Sequence, residues 1–164
     1  MMKTILASLA IVATSASIAK ATECGKEDEI HALAMNMYHE ARGQGSEAMQ
    51  LVGEVTLNRA NNKNFPNTIC QVVYQARFDK RGNPRRHKCQ FSWFCDGLSD
   101  KPYNAKSWKL AEVIATGLVN KTISLIGIQA THYHATSVKP YWSKKYTRLG
   151  RHGDHVFYQM GKRL

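Results

Sequence analysis

Glu40 is the side chain in this sequence best placed to move a proton. It sits in the string Met37-Tyr38-His39-Glu40-Ala41-Arg42-Gly43, close to the end of a helix-forming stretch. There the negative end of the helix dipole and partial burial beside Tyr38 both disfavour a carboxylate. A glutamate so placed has a raised pKa and holds a proton near neutral pH, as a general acid for glycosidic bond cleavage must. Arg42 pulls the other way. Cleavage with two carboxylates needs a second acid roughly 5 to 9.5 Å away, and the candidates are Glu47, Glu54 and Asp96. The first two fall on the following helix, where a solvated or structural role suits them better. A rival chemistry is metal-based: His132 and His134 share one face of a strand and, with His152 and His155, form a candidate zinc set for a metal-dependent amidase. No H-E-x-x-H string supports it.

The elements that position these groups follow from periodicity. Apolar residues at Ile30, Leu33, Ala34, Met37, Tyr38 and Ala41 have the spacing of a helix with one buried stripe. Glu27, Asp28 and Glu29 fit its first turn, and Gly43 and Gly45 end it. Ser46 is the expected cap of a second helix, with Ala48, Leu51, Val52 and Val55 inward and an end near Arg59. A short turn over Thr68–Tyr74, capped at Asn67, precedes an irregular stretch from 75 to 100. Asp100 and Pro102 then open a third helix, with Trp108, Ala111, Ile114, Ala115 and Leu118 inward. Strand-like pieces follow around 128 to 134 and 155 to 160, with Gly150, Gly153 and Asp154 as turn formers. The expected fold is α+β: helices first, a small late antiparallel sheet, and a cleft between.

The first residues read as an export leader. Lys3 precedes an uncharged run from Thr4 to Ala19, and the triplet Ala19-Lys20-Ala21 fits a cleavage site after Ala21. That run is diluted by hydroxyl residues and is shorter than the ~20 residues a membrane-spanning helix needs. Residues 1 to 21 are therefore expected to be a signal peptide and 22 to 164 one domain, exported to the periplasm or outside the cell. The four cysteines, Cys24, Cys70, Cys89 and Cys95, suit two disulfides in that compartment, with 3 pairings possible. Cys89 with Cys95 closes the shortest loop, leaving Cys24 with Cys70. The net charge of +11 calls for an anionic partner, and export makes the cell envelope that partner rather than nucleic acid. Arg77, Lys80, Arg81, Arg85, Arg86, His87 and Lys88 gather around the single acid Asp79 in one loop, which reads as a contact surface.

The string Tyr38-His39-Glu40-Ala41-Arg42-Gly43, followed by Val55, Leu57, Asn58 and Arg59 and then by Phe65-Pro66-Asn67-Thr68-Ile69, resembles the SleB/CwlJ family of cell wall hydrolases, named for spore-cortex-lytic enzymes. The likeness continues through Gln90-Phe91-Ser92-Trp93, Asp96-Gly97, His132-Tyr133-His134, Pro140-Tyr141-Trp142, Gly150-Arg151-His152 and Val156-Phe157-Tyr158. The resemblance implies a lysozyme-like fold and an essential glutamate at Glu40. It also implies cleavage between N-acetylmuramic acid and N-acetylglucosamine by a cofactor-free, metal-free and monomeric enzyme acting on peptidoglycan glycan strands. Gln44 stands where an acid often follows the E-A-R-G glycine, which weakens any two-carboxylate mechanism and favours a lytic transglycosylase. For sugar binding, Trp93, Tyr133 and Trp142 are expected to offer flat apolar faces, and Gln90, Ser92 and His134 to hydrogen-bond acetamido and hydroxyl groups. The remaining alternative is a non-catalytic basic protein that binds the wall.

Overall fold

The computed structural model describes residues 24–161; the expected leader lies outside the described residues. Helix α1 spans Lys26–Ala41, opens on its acidic first turn and buries Leu33, Ala34, Met37, Tyr38 and Ala41. Helix α2 spans Ser46–Ala60 and buries its expected stripe, with Gly45 rather than Ser46 at the cap position. α2 crosses close to its neighbours at Gly53, where a Cβ would stand 2.7 Å from Leu118 and 2.8 Å from Met37. A larger residue there would displace the ends of the Leu118 and Met37 side chains from their places in the core. The short helix α3, Ile69–Val73, is capped by the Thr68 side chain, which accepts from Gln71 N at 3.2 Å. Thr68 takes the role expected of Asn67 because its extended backbone aims the hydroxyl at the first turn.

The stretch from 75 to 100, expected to be irregular, contains a hairpin and a 3-10 turn. Strands β1, Ala76–Phe78, and β2, Pro84–Cys89, pair antiparallel as a separate two-stranded sheet. The 3-10 turn Ser92–Cys95 follows. Both expected disulfides, Cys24–Cys70 and Cys89–Cys95, are formed. Helix α4 spans Ala105–Asn120 and starts later than Asp100 and Pro102 suggest. Two contacts with α1 hold the chain extended before it. Tyr38 Oη accepts from the N–H groups of Tyr103 and Asn104, each at 3.0 Å, and His39 Nε2 meets the Asp100 carbonyl at 3.0 Å. Asn104 then caps α4 by accepting from Ser107 N at 2.9 Å.

The late sheet has three antiparallel strands in the order β3, β5, β4: β3 is His132–Ala135, β4 Thr147–His152 and β5 His155–Gln159. Gly153 and Asp154 make the β4–β5 turn, as expected, whereas Gly150 lies inside β4 at a slip in register. One core joins α1, α2, α3 and α4, and a second cluster of Leu51, Val55, Ala130 and Phe157 fastens α2 to the sheet. No helix among the described residues is long and apolar enough to cross a membrane.

Candidate active site

Glu40 lies on the last turn of α1, partly exposed, and its Oε2 accepts a hydrogen bond from the Tyr133 hydroxyl at 3.1 Å. The two residues come from the helical layer and from strand β3. Alternation along β3 turns Tyr133 towards the helices and His132 and His134 towards the opposite face. The Tyr133 ring packs against His155 and Phe157, with centroids 4.8 and 5.8 Å away. Two adjacent α2 residues fix the segment that leads into β3. Asn58 Nδ2 donates to the carbonyls of Ile128 at 2.7 Å and Ala130 at 2.9 Å, and Arg59 Nε donates to Thr131 O at 2.7 Å.

Burial pushes the Glu40 carboxyl above the ordinary carboxylate range, against the Tyr133 hydrogen bond and the Arg59 charge, which both pull it down. Arg59 is a buried cation, 3% exposed, with its guanidinium over the rings of Phe65 at 5.5 Å and Phe91 at 5.3 Å. Its Nη1 has no hydrogen-bond partner among the described residues. The expected opposing charge was Arg42. Its guanidinium instead lies over Tyr38 and Tyr103, at 5.3 and 4.8 Å from their centroids, on the side of α1 that meets the start of α4. At 100° per residue Tyr38 and Arg42 share a face that Glu40 does not.

The other carboxylates named from sequence are engaged elsewhere. Glu54 is buried, and its two oxygens accept from the backbone N–H groups of Ile126, Gly127 and Ile128 and from the Gln50 amide. It organises the loop after α4. Asp96 accepts from Leu98 N at 2.8 Å within a turn. Glu47 is exposed and faces His152 at 3.5 Å. Gln44 Oε1 accepts from Asp154 N at 3.0 Å, tying the α1–α2 loop to the β4–β5 turn.

The residues expected to bind sugar fall into three places. Tyr133 is beside Glu40. Gln90 and Ser92 are exposed, at the end of the hairpin and the start of the 3-10 turn. Trp93 is only 6% exposed: its Nε1 donates to Asn36 Oδ1 at 3.1 Å and its ring stacks on His39 at 4.6 Å. This indole steadies the end of α1 from below, and its faces are covered by protein. His134 and Trp142 lie on the sheet face opposite Tyr133, in an aromatic group with His132, Tyr146 and Tyr158. His134 Nδ1 donates to the Ala135 carbonyl at 2.8 Å, so its Nε2 accepts from the Tyr158 hydroxyl at 3.0 Å.

The four histidines of the zinc reading are drawn to different partners. His132 Nδ1 shares a hydrogen bond with the Thr131 hydroxyl at 3.0 Å, and burial, aided by Arg59, lowers its pKa to about 4. His155 is buried against Tyr133, and His152 faces Glu47. Among the described residues no three His, Cys, Asp or Glu side chains gather as a metal-ligand set. A cavity of about 590 Å³ lies between the first half of α1 and α4, lined by His31, Ala34, Trp108 and Val113 among others, and does not reach Glu40. Reasoning from sequence gave no role to Asn58 and Arg59, although both stand in the quoted strings. Their partners lie 70 or more residues away, beyond any local pattern.

The sequence model described as Cell Wall Hydrolase matches residues 43–158. The match begins just after Glu40. No curated protein matches the chain. Among solved structures, the catalytic domain of the Bacillus cereus SleB protein is similar in fold, with a TM-score of 0.56 at 22% identity, covering 81% of this chain and 91% of that one. The catalytic domain of the germination-specific lytic transglycosylase SleB from Bacillus anthracis gives a TM-score of 0.57 at 23% identity, over 80% of this chain and 93% of that one. The α+β, lysozyme-like architecture expected from the sequence is the one these domains share with it.

Proposed function

Because this chain belongs to the cell wall hydrolase family, we propose that it is an exported enzyme that cleaves the peptidoglycan glycan strand between N-acetylmuramic acid and N-acetylglucosamine, with Glu40 as its one catalytic carboxylate. The relatives of similar fold include a domain named as a lytic transglycosylase, and the reaction we assign is of that kind. Protonated Glu40 gives its proton to the glycosidic oxygen as the bond to the muramic C1 breaks. The resulting carboxylate then takes the proton from the muramic C6 hydroxyl as that oxygen closes on C1. The products are a 1,6-anhydro end and a free N-acetylglucosamine hydroxyl, and no water is consumed.

The observation that carries this reading is the Glu40 carboxyl itself. Burial raises its pKa above the ordinary carboxylate value and Tyr133 bonds it, while Glu54 and Asp96 are committed to a loop and a turn and Glu47 is exposed beside His152. Tyr133 and the buried Arg59 charge favour the carboxylate that forms after the first proton transfer, which shortens the uphill part of that step. Gln90 and Ser92 are the exposed polar groups we assign to the acetamido and hydroxyl groups of bound sugar, and His134 and Trp142 to a more distant part of the strand. Trp93 supports the site by holding His39 and the last turn of α1. The leader over residues 1 to 21 and the two disulfides support action outside the cytoplasm.

Digestion of purified peptidoglycan followed by mass spectrometry tests the proposal. Anhydromuramyl ends released by the wild type and absent with Glu40→Gln are the expected outcome. Hydrated reducing ends would replace the mechanism with hydrolysis, and free stem peptides would overturn the glycan assignment.

A further inference from the structure

The β1–β2 hairpin is built to touch something other than its own protein. It forms its own two-stranded sheet and is fastened at the base, by Gln90 N donating to Gln75 O at 2.8 Å and by the Cys89–Cys95 disulfide. Arg77, Lys80, Arg81, Arg85, Arg86 and Lys88 are all exposed along it. Its one acid, Asp79, is used by the turn, accepting from Asn83 N at 2.9 Å and Arg81 N at 2.8 Å. The ion pairs among the described residues are Lys109 with Glu112 and His152 with Glu47, so none neutralises a hairpin cation. Like charges at this density repel and leave the hairpin with a positive field that attracts an anionic surface.

Two further features narrow the partner. Phe78 is 52% exposed and Leu98 77% exposed, beside the cations, and Arg86 reaches alongside Gly97 next to Leu98. The hairpin also carries a register slip between Ala76 and Phe78, and His87 adopts a positive φ of 57°. A twisted edge lined with arginine rejects an added strand, which argues against a β-paired protein partner. A hydrated carboxylate polymer would gain little from bare phenyl and isobutyl groups. A bilayer interface accepts both, with guanidinium groups at the lipid phosphates and apolar side chains at the acyl boundary.

We propose that the β1–β2 hairpin is a membrane-docking arm that binds the phosphate headgroups of an anionic bilayer, with Phe78 and Leu98 entering the boundary region. The proposal does not depend on the catalytic reading. The test is sedimentation of the purified chain with vesicles of phosphatidylglycerol mixed into phosphatidylcholine, against phosphatidylcholine alone. Two variant sets, Arg85→Ser/Arg86→Ser/Lys88→Ser on the strand and Arg77→Ser/Lys80→Ser/Arg81→Ser around the turn, are run beside the wild type so that anything outside the hairpin cancels. The expected result is binding that requires phosphatidylglycerol, falls with salt and weakens roughly a hundredfold in either variant. Thermal melting identifies a variant that fails to fold, and the other set then decides. Equal binding to both lipids, equal binding by the variants, or binding to purified wall polymer with none to vesicles would overturn the proposal.

Discussion

The hydroxyl of Tyr133 donates to Oε2 of Glu40 across 3.1 Å, joining the end of a helix to a strand that begins 91 residues later in the chain. A bond from a phenol favours the ionised carboxylate, so it opposes the effect of burial on this acid. Removing it with Tyr133→Phe raises the Glu40 pKa further. The alkaline limb of the rate profile, where the general acid is lost, then moves to higher pH. Clearing of peptidoglycan suspensions over a pH series measures this, and an unmoved limb would show that Tyr133 does not act on the catalytic proton.

Glu40→Gln abolishes turnover by a factor of about 10² to 10⁴ while keeping the fold. Its stability effect has a definite sign. The folded pKa of Glu40 is raised above the ordinary 4.5. The native state therefore keeps its full contribution from this group below that value and loses it as pH rises through the raised pKa. The variant lacks this loss, so its melting temperature gains on that of the wild type as pH increases. Melting curves at matched pH values check it, with a constant difference as the contrary result.

Glu54→Gln separates architecture from chemistry. Its carboxylate receives the backbone N–H groups of Gly127 and Ile128. Weakening those bonds is expected to destabilise the fold by about 2 to 4 kcal/mol, measured by denaturant unfolding. Activity per folded molecule should remain. Loss of turnover in fully folded protein would instead make Glu54 a second catalytic carboxylate.

Much of the helical layer is legible in the sequence, because the apolar spacing of α1 and α2 survives in the chain, although burial runs all round each helix, from Ala32 through Tyr38 and from Leu51 through Thr56, where a single inward stripe was expected. The hairpin is not legible. Pro84-Arg85-Arg86-His87-Lys88 lacks the apolar alternation that marks a strand, since both of its faces are wet and a disulfide holds its base. α4 starts later than Asp100 and Pro102 suggest because Tyr38 and His39, more than sixty residues earlier, hold the chain extended past Asp100. At the site, Glu40 is marked by the local string around it. Its connection to Tyr133 and the burial of Arg59 between Phe65 and Phe91 arise only from the assembled layers.

His132 is expected to set part of the acid sensitivity. Burial lowers its pKa from 6.5 to about 4. As pH falls through this window the unfolded chain takes up a proton that the folded chain refuses, and stability is lost. His132→Gln should flatten the fall in melting temperature between pH 6.5 and 4. An unchanged slope would assign the sensitivity to other groups, including His155, whose pKa burial also lowers.

Gly153 adopts a φ of 51°, and a Cβ there would lie 2.6 Å from Gln44 Oε1. Gly153→Ala should cost about 1 to 2 kcal/mol from its backbone conformation, plus the displaced Gln44 contact. Pairing it with Gln44→Ala in a double-mutant cycle isolates that second part. Strict additivity would mean that the added Cβ leaves the Gln44 contact undisturbed.

The grip of Asn58 and Arg59 on the carbonyls of Ile128, Ala130 and Thr131 touches only main chain. The alignment of acid and phenol thus rests on the course of this main chain, with positions 128 and 130 apolar enough to fill their places in the interior and the buried Thr131 hydroxyl held by His132 and Met160 N. A change at either gripping residue would leave buried carbonyls unsatisfied and loosen the segment that carries Tyr133 to Glu40.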